Sequence, residues 1–299
     1  MYINHNLMAS NVNNTLAAHY SNLQTSTQRL SSGLMVNSAA DDAAGLAIRE
    51  LMRADIASLQ QGVRNANDAI SLIQTADGAL GVIDEKLIRM KELAEQAATG
   101  TYDSTQRLMI ESEYQAMASE ITRIANATDF NNIKLLDGNL SGKTHKGSGG
   151  DESGLASTGK LKVHFGAGND SAEDYYYIQI GDSTASALGV GNASNPEGDA
   201  YTISTQEAAQ KALAGINNAI ISKDKIRAHL GALQNRLENT ITNLTTQAEN
   251  LQAAESRISD VDVATEMTQF VRNQILTQSA VAMLSQANSM QQMAMQLIG

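Results

Sequence analysis

The sequence is poor in the residues that most enzymes use for cross-links, loops and core anchors. Its 299 residues include no cysteine, no tryptophan and one proline, and aromatic residues make up 4% of the chain. Without cysteine the chain has no disulfide, thiol nucleophile or thiolate metal ligand. The scarcity of proline and of large aromatic anchors argues against a many-looped enzyme domain.

Basic residues are scarce as well. The chain has 21 lysines and arginines against 32 acidic residues, a net charge of −11. A phosphate backbone or an anionic membrane requires a cationic surface, so we expect no nucleic acid as a partner. No apolar stretch approaches the roughly 18–20 residues of a membrane span, so we expect no membrane insertion. The first basic residue is Arg29, too late for a Sec-type signal peptide, so an external protein would need another exporter.

Motifs for catalysis or for a cofactor are absent from the sequence. The five histidines do not occur at a metal-binding spacing, and there is neither a dinucleotide-binding loop nor a phosphate-binding P-loop. Asp41 and Asp42 are adjacent, but a helix start explains two neighbouring carboxylates without a catalytic role. We therefore expect no enzymatic activity, no metal and no other cofactor.

Long runs of apolar residues at helical spacing dominate the chain. From Ile73 to Ala97, apolar or small residues alternate in steps of three and four, which is typical of a coiled-coil-like seam. This pattern predicts a helix from Asp42 to Thr99 that three internal glycines could interrupt. Residues 110–124 and 226–258 repeat the spacing. The predicted fold class is mainly α, an elongated coiled-coil-like helical bundle built from both chain halves.

The segment between the helical seams has a different composition. Residues 138–198 contain 13 of the 22 glycines and the single proline. Within it, residues 161–165 and 175–180 alternate as strands do and are separated by a Gly/Asn/Asp/Ser-rich loop. We therefore expect a small inserted β-hairpin region, at about residues 160–181.

The two ends of the chain carry no charge, because residues 1–28 and 273–299 contain no Asp, Glu, Lys or Arg. Both nonetheless have helical apolar spacing. An exposed helix normally carries charges, whereas a helix buried among identical copies would suffer from each buried charge. The ends are therefore predicted to form a polymerisation seam between copies of the chain. The alternatives are a terminal helix pair that closes the monomer and disordered polar tails. The seam residues would be Val12, Leu16, Leu23, Leu30, Val281, Leu284, Met290 and Leu297.

Short motifs in both halves resemble those of bacterial flagellin. Residues 29–34 read RLSSGL, residues 37–45 read NSAADDAAG and residues 65–68 read NAND. In the carboxyl half, residues 230–237 read LGALQNRL and residues 254–260 read AESRISD. The resemblance extends in register over most of the chain, which makes it much more specific than any one motif.

This resemblance implies a division into three regions. Residues 1–41 and 258–299 would form a terminal helical domain that lines the inner tube of a filament. Residues 42–140 and 201–257 would form a helical rod outside it. Residues 141–200 would be a short variable Gly/Ser-rich surface segment that contains the β-hairpin, which makes the chain similar to a minimal flagellin.

The resemblance also implies a function and partners. The chain would polymerise with itself into the bacterial flagellar filament for swimming motility. It would be secreted by a flagellar type III apparatus without a cleaved signal peptide and would meet an export chaperone, the filament cap and hook-junction proteins. The alternatives are a hook–filament junction protein with similar ends and a soluble coiled-coil adaptor.

One further partner is implied by the resemblance, an animal innate immune receptor that reads flagellins on the rod surface. Residues 87–96 are similar to the family's receptor-contact segment. Carried over by position, Arg89, Leu93 and Glu113 would make the contact, with Arg89 and Leu93 on one helix face. Ile88 and Glu95 depart from the family pattern.

Overall fold

The structure is a computed structural model that describes residues 6–142, 159–168, 170, 173–191 and 201–298. Within these residues there are five helices and two β-hairpins, which confirms the mainly α class with a small β-hairpin region. The helices are α1 (Leu7–Ser32), α2 (Ala43–Ala98), α3 (Ser104–Ala127), α4 (Gln206–Ser259) and α5 (Val263–Ile298). The strands are β1 (Asp129–Phe130), β2 (Ile133–Lys134), β3 (Leu161–His164) and β4 (Tyr175–Ile178).

The chain divides into two compact units. Unit 1 comprises Met1–Ile56 and Ala248–Gly299, and unit 2 comprises Ala57–Gln247. The divisions fall inside α2 and α4, whereas the domain boundaries expected from the family lie at residues 41 and 258. Both helices continue through these divisions without a change in composition. The positions of the two divisions could therefore not be predicted from the sequence.

The predicted long helix is present as α2, which runs for 56 residues without a break. Asp42 caps its start, because Oδ1 accepts hydrogen bonds from the backbone N–H groups of Ala44 at 3.0 Å and Gly45 at 2.9 Å. Every residue of its predicted seam is buried: Ile73, Ala76, Leu80, Ile83, Leu87, Met90, Ala94 and Ala97.

The core of unit 2 forms where α2 packs with α3 and α4. Tyr114 and Ile121 of α3 and Leu230 and Leu237 of α4 are buried in the same apolar cluster as the α2 seam. Burial raises the pKa of the Tyr114 hydroxyl well above its ordinary value.

Ion pairs fix how α4 lies along α2. The ammonium group of Lys223 is buried and contacts Asp84 Oδ1 at 2.5 Å and Asp224 Oδ1 at 2.8 Å. Arg227 Nε donates to Asp77 Oδ1 at 2.7 Å. Since a buried cation is costly without a carboxylate partner, the contact of Lys223 with Asp84 favours this register of α4 along α2.

The predicted β-hairpin is formed by the antiparallel strands β3 and β4, with Leu161 opposite Ile178 and His164 opposite Tyr175. The described part of the expected surface segment is not wholly exposed, because one face of the hairpin packs into the core of unit 2. The residues buried there and just after the hairpin include Val163, Ile178, Ile180, Leu188 and Val190. Residues 143–158, 169, 171–172 and 192–200 of the expected surface segment lie outside the described residues.

The hairpin of β1 and β2 was not expected from the sequence. Its two turn residues, Asn131 and Asn132, have φ values of 51° and 64°. Two consecutive left-handed residues form a two-residue turn whose twist matches that of the strands, and asparagine tolerates this conformation. The Asn–Asn pair was the signal available for this hairpin.

Candidate assembly surface

Helix α1 presents one side to α5 within unit 1. Of the expected seam residues on α1, Val12, Leu16, Leu23 and Leu30 are all half-buried, on the side of the helix that is least exposed. At one end of the pair Asn6 Nδ2 donates to the Ala287 carbonyl at 3.2 Å. These side chains therefore pack, at least in part, within one chain.

The expected seam residues on α5 lie on different sides of the helix. Leu284 is half-buried, but Val281 is 47% exposed and Met290 is 42% exposed. The side chain of Leu297 lies outside the described residues. The residues of α5 that are least exposed instead include polar and small side chains, again at steps of three and four: Glu266, Phe270, Asn273, Thr277, Ala280, Leu284 and Ala287.

Unit 1 leaves an unusual number of large apolar side chains exposed. We call this set the terminal apolar surface. Its members on or near α1 and at the start of α2 are Leu7, Met8, Tyr20, Met35, Ile48 and Leu51. Its members on α5 are Val263, Met267, Val271, Ile275, Leu276, Val281, Met283, Met290 and Met293. A helix that is apolar on several faces is normally buried on several sides. Packing against α1 covers only one side of α5, so the other apolar faces of α5 remain uncovered within the subunit.

The segment between α1 and α2 is tied back to the segment between α4 and α5. Gly33 ends α1 in the left-handed conformation, with φ of 73°, and its carbonyl accepts from the Val261 N–H at 3.0 Å. The Met35 N–H donates to the Ser259 carbonyl at 2.7 Å. These bonds hold both chain connections of unit 1 side by side.

Polar side chains stabilise the same connection, among them Arg49, which no sequence motif singled out. Its Nη1 donates to the Val36 carbonyl at 2.8 Å, and the side chain is buried. Asp41 Oδ2 accepts from the Ser38 N–H at 2.9 Å and from the Ser38 hydroxyl at 3.0 Å, which lowers the pKa of Asp41. A surface groove of about 820 Å³ lies beside this segment, lined by Tyr20, Leu23, Gln24, Thr27, Gln28, Ser31, Ser32 and Asn37.

Two protein-family models match most of this chain. Residues 3–141 match the bacterial flagellin N-terminal helical region, and residues 213–298 match the bacterial flagellin C-terminal helical region. The chain belongs to the bacterial flagellin family. Flagellins are structural proteins of the flagellar filament, outside the cell.

Individual relatives agree with this assignment. The chain is 42% identical over 314 residues to flagellin of Bacillus subtilis, and the match covers all of both chains. It is 40% identical over 298 residues to the flagellar filament 33 kDa core protein of Treponema phagedenis, again over all of both chains. A solved putative flagellar hook-associated protein from Vibrio parahaemolyticus has the same fold, with a TM-score of 0.55 and 13% identity over 74% of this chain and all of that one.

The segment that resembles the flagellin receptor contact is only partly on the surface. Arg89 is exposed and is held by two carboxylates: its Nε and Nη2 donate to Glu113 Oε1 at 3.0 and 2.8 Å, and its Nη1 donates to Glu92 Oε2 at 2.9 Å. Leu93 is 1% exposed and belongs to the core of unit 2. The expectation that Leu93 shares an exposed patch with Arg89 is therefore wrong, because α2 packs against two helices and buries a wider stripe than a single seam.

The part of this flagellin that the structure describes contains neither a membrane-spanning helix nor a metal-binding cluster of side chains. No helix among the described residues is long and apolar enough to cross a membrane. The same residues contain no group of three or more His, Asp or Glu side chains arranged to hold a metal ion.

Proposed function

We propose that this flagellin polymerises with itself into the flagellar filament for swimming motility and that the terminal apolar surface mediates the contacts between subunits. The observation that carries the proposal is the combination of many exposed apolar side chains in unit 1 with charge-free ends, residues 1–28 and 273–299. Removing such side chains from water on assembly provides a favourable free energy, and the lack of charge avoids a desolvation cost in every subunit.

The expected seam residues would then have two roles, packing within a subunit and contact between subunits. Val12, Leu16, Leu23 and Leu30 would hold α1 and α5 together within a subunit, and Leu284 would do so from α5. Val281 and Met290, which are exposed, would contact neighbouring subunits.

A charge on the exposed face of α5 tests this. Ile275 is 57% exposed, so Ile275→Asp leaves the folded chain intact but buries a carboxylate in each intersubunit contact, at a cost of several kcal/mol. We expect the variant to stop growing filaments from seeds, measured by sedimentation and electron microscopy. The matched control is Ile221→Asp on α4 of unit 2, where the side chain is 52% exposed. Equal polymerisation of wild type and Ile275→Asp would refute the assembly surface.

We also propose the route and the accessory partners of this flagellin. A flagellar type III apparatus would export it without cleaving a signal peptide, an export chaperone would hold it before export, and cap and hook-junction proteins would bound the filament. Family membership supports these partners, and the lack of cysteine suits unfolded passage because no cross-link can form. Retention of the protein inside cells that lack the apparatus is the expected result.

Recognition by an animal innate immune receptor is a further proposal, and it now rests on Arg89 and Glu113. We expect Arg89→Ala to weaken receptor binding by the monomer, because an exposed arginine with a fixed orientation is a typical interface anchor. Leu93→Ala should instead lower the free energy of unfolding by about 2–5 kcal/mol, since it empties a core position. Receptor titration and chemical unfolding separate the two effects. Unchanged affinity of Arg89→Ala would remove the central residue of this proposal.

A further inference from the structure

Methionine is the only sulfur-containing residue in this chain, and it is concentrated on the terminal apolar surface. The chain has twelve methionines and no cysteine. Among the described methionines, those that are exposed in unit 1 are Met8, Met35, Met267, Met283, Met290 and Met293. Unit 2 supplies two contrasting positions, because Met109 is 69% exposed and Met90 is fully buried.

The exposed methionines on α5 lie among other apolar side chains. Leu276, Met283 and Met290 follow one another at intervals of seven, which places them along one side of the helix. Met267 is four residues before Val271, on another side of the same helix. Thioether side chains adapt their shape to a partner, which suits them to packing between subunits.

We propose that these six methionines are an oxidation site at which peroxide switches off assembly, an inference that rests on the proposed function of the terminal apolar surface. The sulfur lone pair attacks one oxygen of hydrogen peroxide. A sulfur–oxygen bond forms, the oxygen–oxygen bond breaks, and the departing hydroxide takes up the remaining proton as water. Sulfur is oxidised by two electrons, peroxide is reduced to water, and the product is methionine sulfoxide.

The sulfoxide opposes assembly because it changes the polarity of the surface. Each modified side chain carries a strong hydrogen-bond acceptor into a contact whose neighbours, such as Leu276 and Val271, offer no side-chain donor. Methionine sulfoxide reductases reverse the reaction, so the site is reversible. Subunits are vulnerable before assembly, when these side chains face solvent.

The test compares seeded polymerisation before and after treatment of the monomer with hydrogen peroxide. We expect the critical concentration to rise about tenfold or more, with peptide mass spectrometry finding sulfoxide at Met283 and Met290 well before Met90. A variant in which the six exposed methionines named above are replaced by leucine should keep its critical concentration after peroxide. Met109→Leu, which removes an exposed methionine of unit 2, should be as sensitive as wild type.

Each outcome decides one claim. If the oxidised wild type polymerises with an unchanged critical concentration, the oxidation site is refuted while the assembly surface stands. If untreated wild type fails to polymerise from seeds, the proposed function is refuted and the oxidation site with it. Should the leucine variant not assemble, enzymatic reduction of the oxidised wild type replaces it: recovered polymerisation supports the proposal, and no recovery after complete reduction overturns it.

Discussion

At Gly62, the absence of a side chain lets the β3–β4 hairpin region approach α2. A Cβ at this position would lie 2.0 Å from the carbonyl oxygen of Phe165, which no side chain can tolerate. One turn further along, Asn65 Nδ2 donates to the His164 carbonyl at 2.8 Å. The hairpin end therefore rests directly on the backbone of α2.

Replacing Gly62 tests this contact. We expect Gly62→Ala to lower the free energy of unfolding by about 1–3 kcal/mol, because the added methyl group displaces backbone rather than a flexible side chain. Gly78→Ala is the control on the same helix, since nothing lies within 4 Å of the added Cβ. It should raise the free energy of unfolding by about 0.5–1 kcal/mol, as alanine is the better helix former. Chemical unfolding curves measure both, and a neutral Gly62→Ala would contradict the close approach.

At the scale of the elements, α5 has a well-defined start. Asp262 Oδ1 accepts from the Ala264 N–H at 3.0 Å, and its Oδ2 accepts from the Thr265 hydroxyl at 2.8 Å. These hydrogen bonds lower the pKa of Asp262 below its ordinary value of 3.8. The bond from the Thr265 hydroxyl has the largest effect, followed by those from the Thr265 and Ala264 N–H groups. The ionised carboxylate is therefore the stronger cap.

The sign of the resulting pH dependence follows from the lowered pKa. The stabilisation from Asp262 is fully present above pH 3.8 and is lost as the pH falls through the lower pKa of the folded chain. We expect acid to reduce the melting temperature of wild type more than that of Asp262→Ser, because serine caps a helix without titrating. Circular dichroism melts at pH 6 and pH 3 make the comparison. An identical acid response in the two proteins would exclude Asp262 from the acid sensitivity.

Some helices and strands could be predicted from apolar periodicity in the sequence, and others could not. The α2 seam was predicted fully because that helix has one continuous apolar stripe, and β3–β4 was predicted because its strands alternate. The side of α5 that packs within the subunit was not predicted, since α5 is apolar on several sides while its least exposed side includes Glu266, Asn273 and Thr277. Periodicity cannot select one face of such a helix.

At the scale of the whole molecule, the sequence predicts that the two charge-free ends form the assembly region, and this stays a prediction. The structure adds that unit 1, which contains both ends, leaves many large apolar side chains exposed. Which apolar side chains the subunit covers itself depends on tertiary packing, so the sequence could not separate exposed Val281 from half-buried Leu284, and Leu93 was assigned to the surface although it is buried. Local patterns do not contain that information.

The central claim is that this chain builds a filament by covering its terminal apolar surface with copies of itself. Cryo-electron microscopy of purified protein grown from seeds tests it most directly, because it yields both the polymer and its contacts. We expect micrometre-long filaments in which Val271 and Ile275 are buried against neighbouring subunits, and no filaments from a chain that lacks residues 273–299. A chain that remains a small oligomer, or a filament in which these two side chains face solvent, would contradict the account.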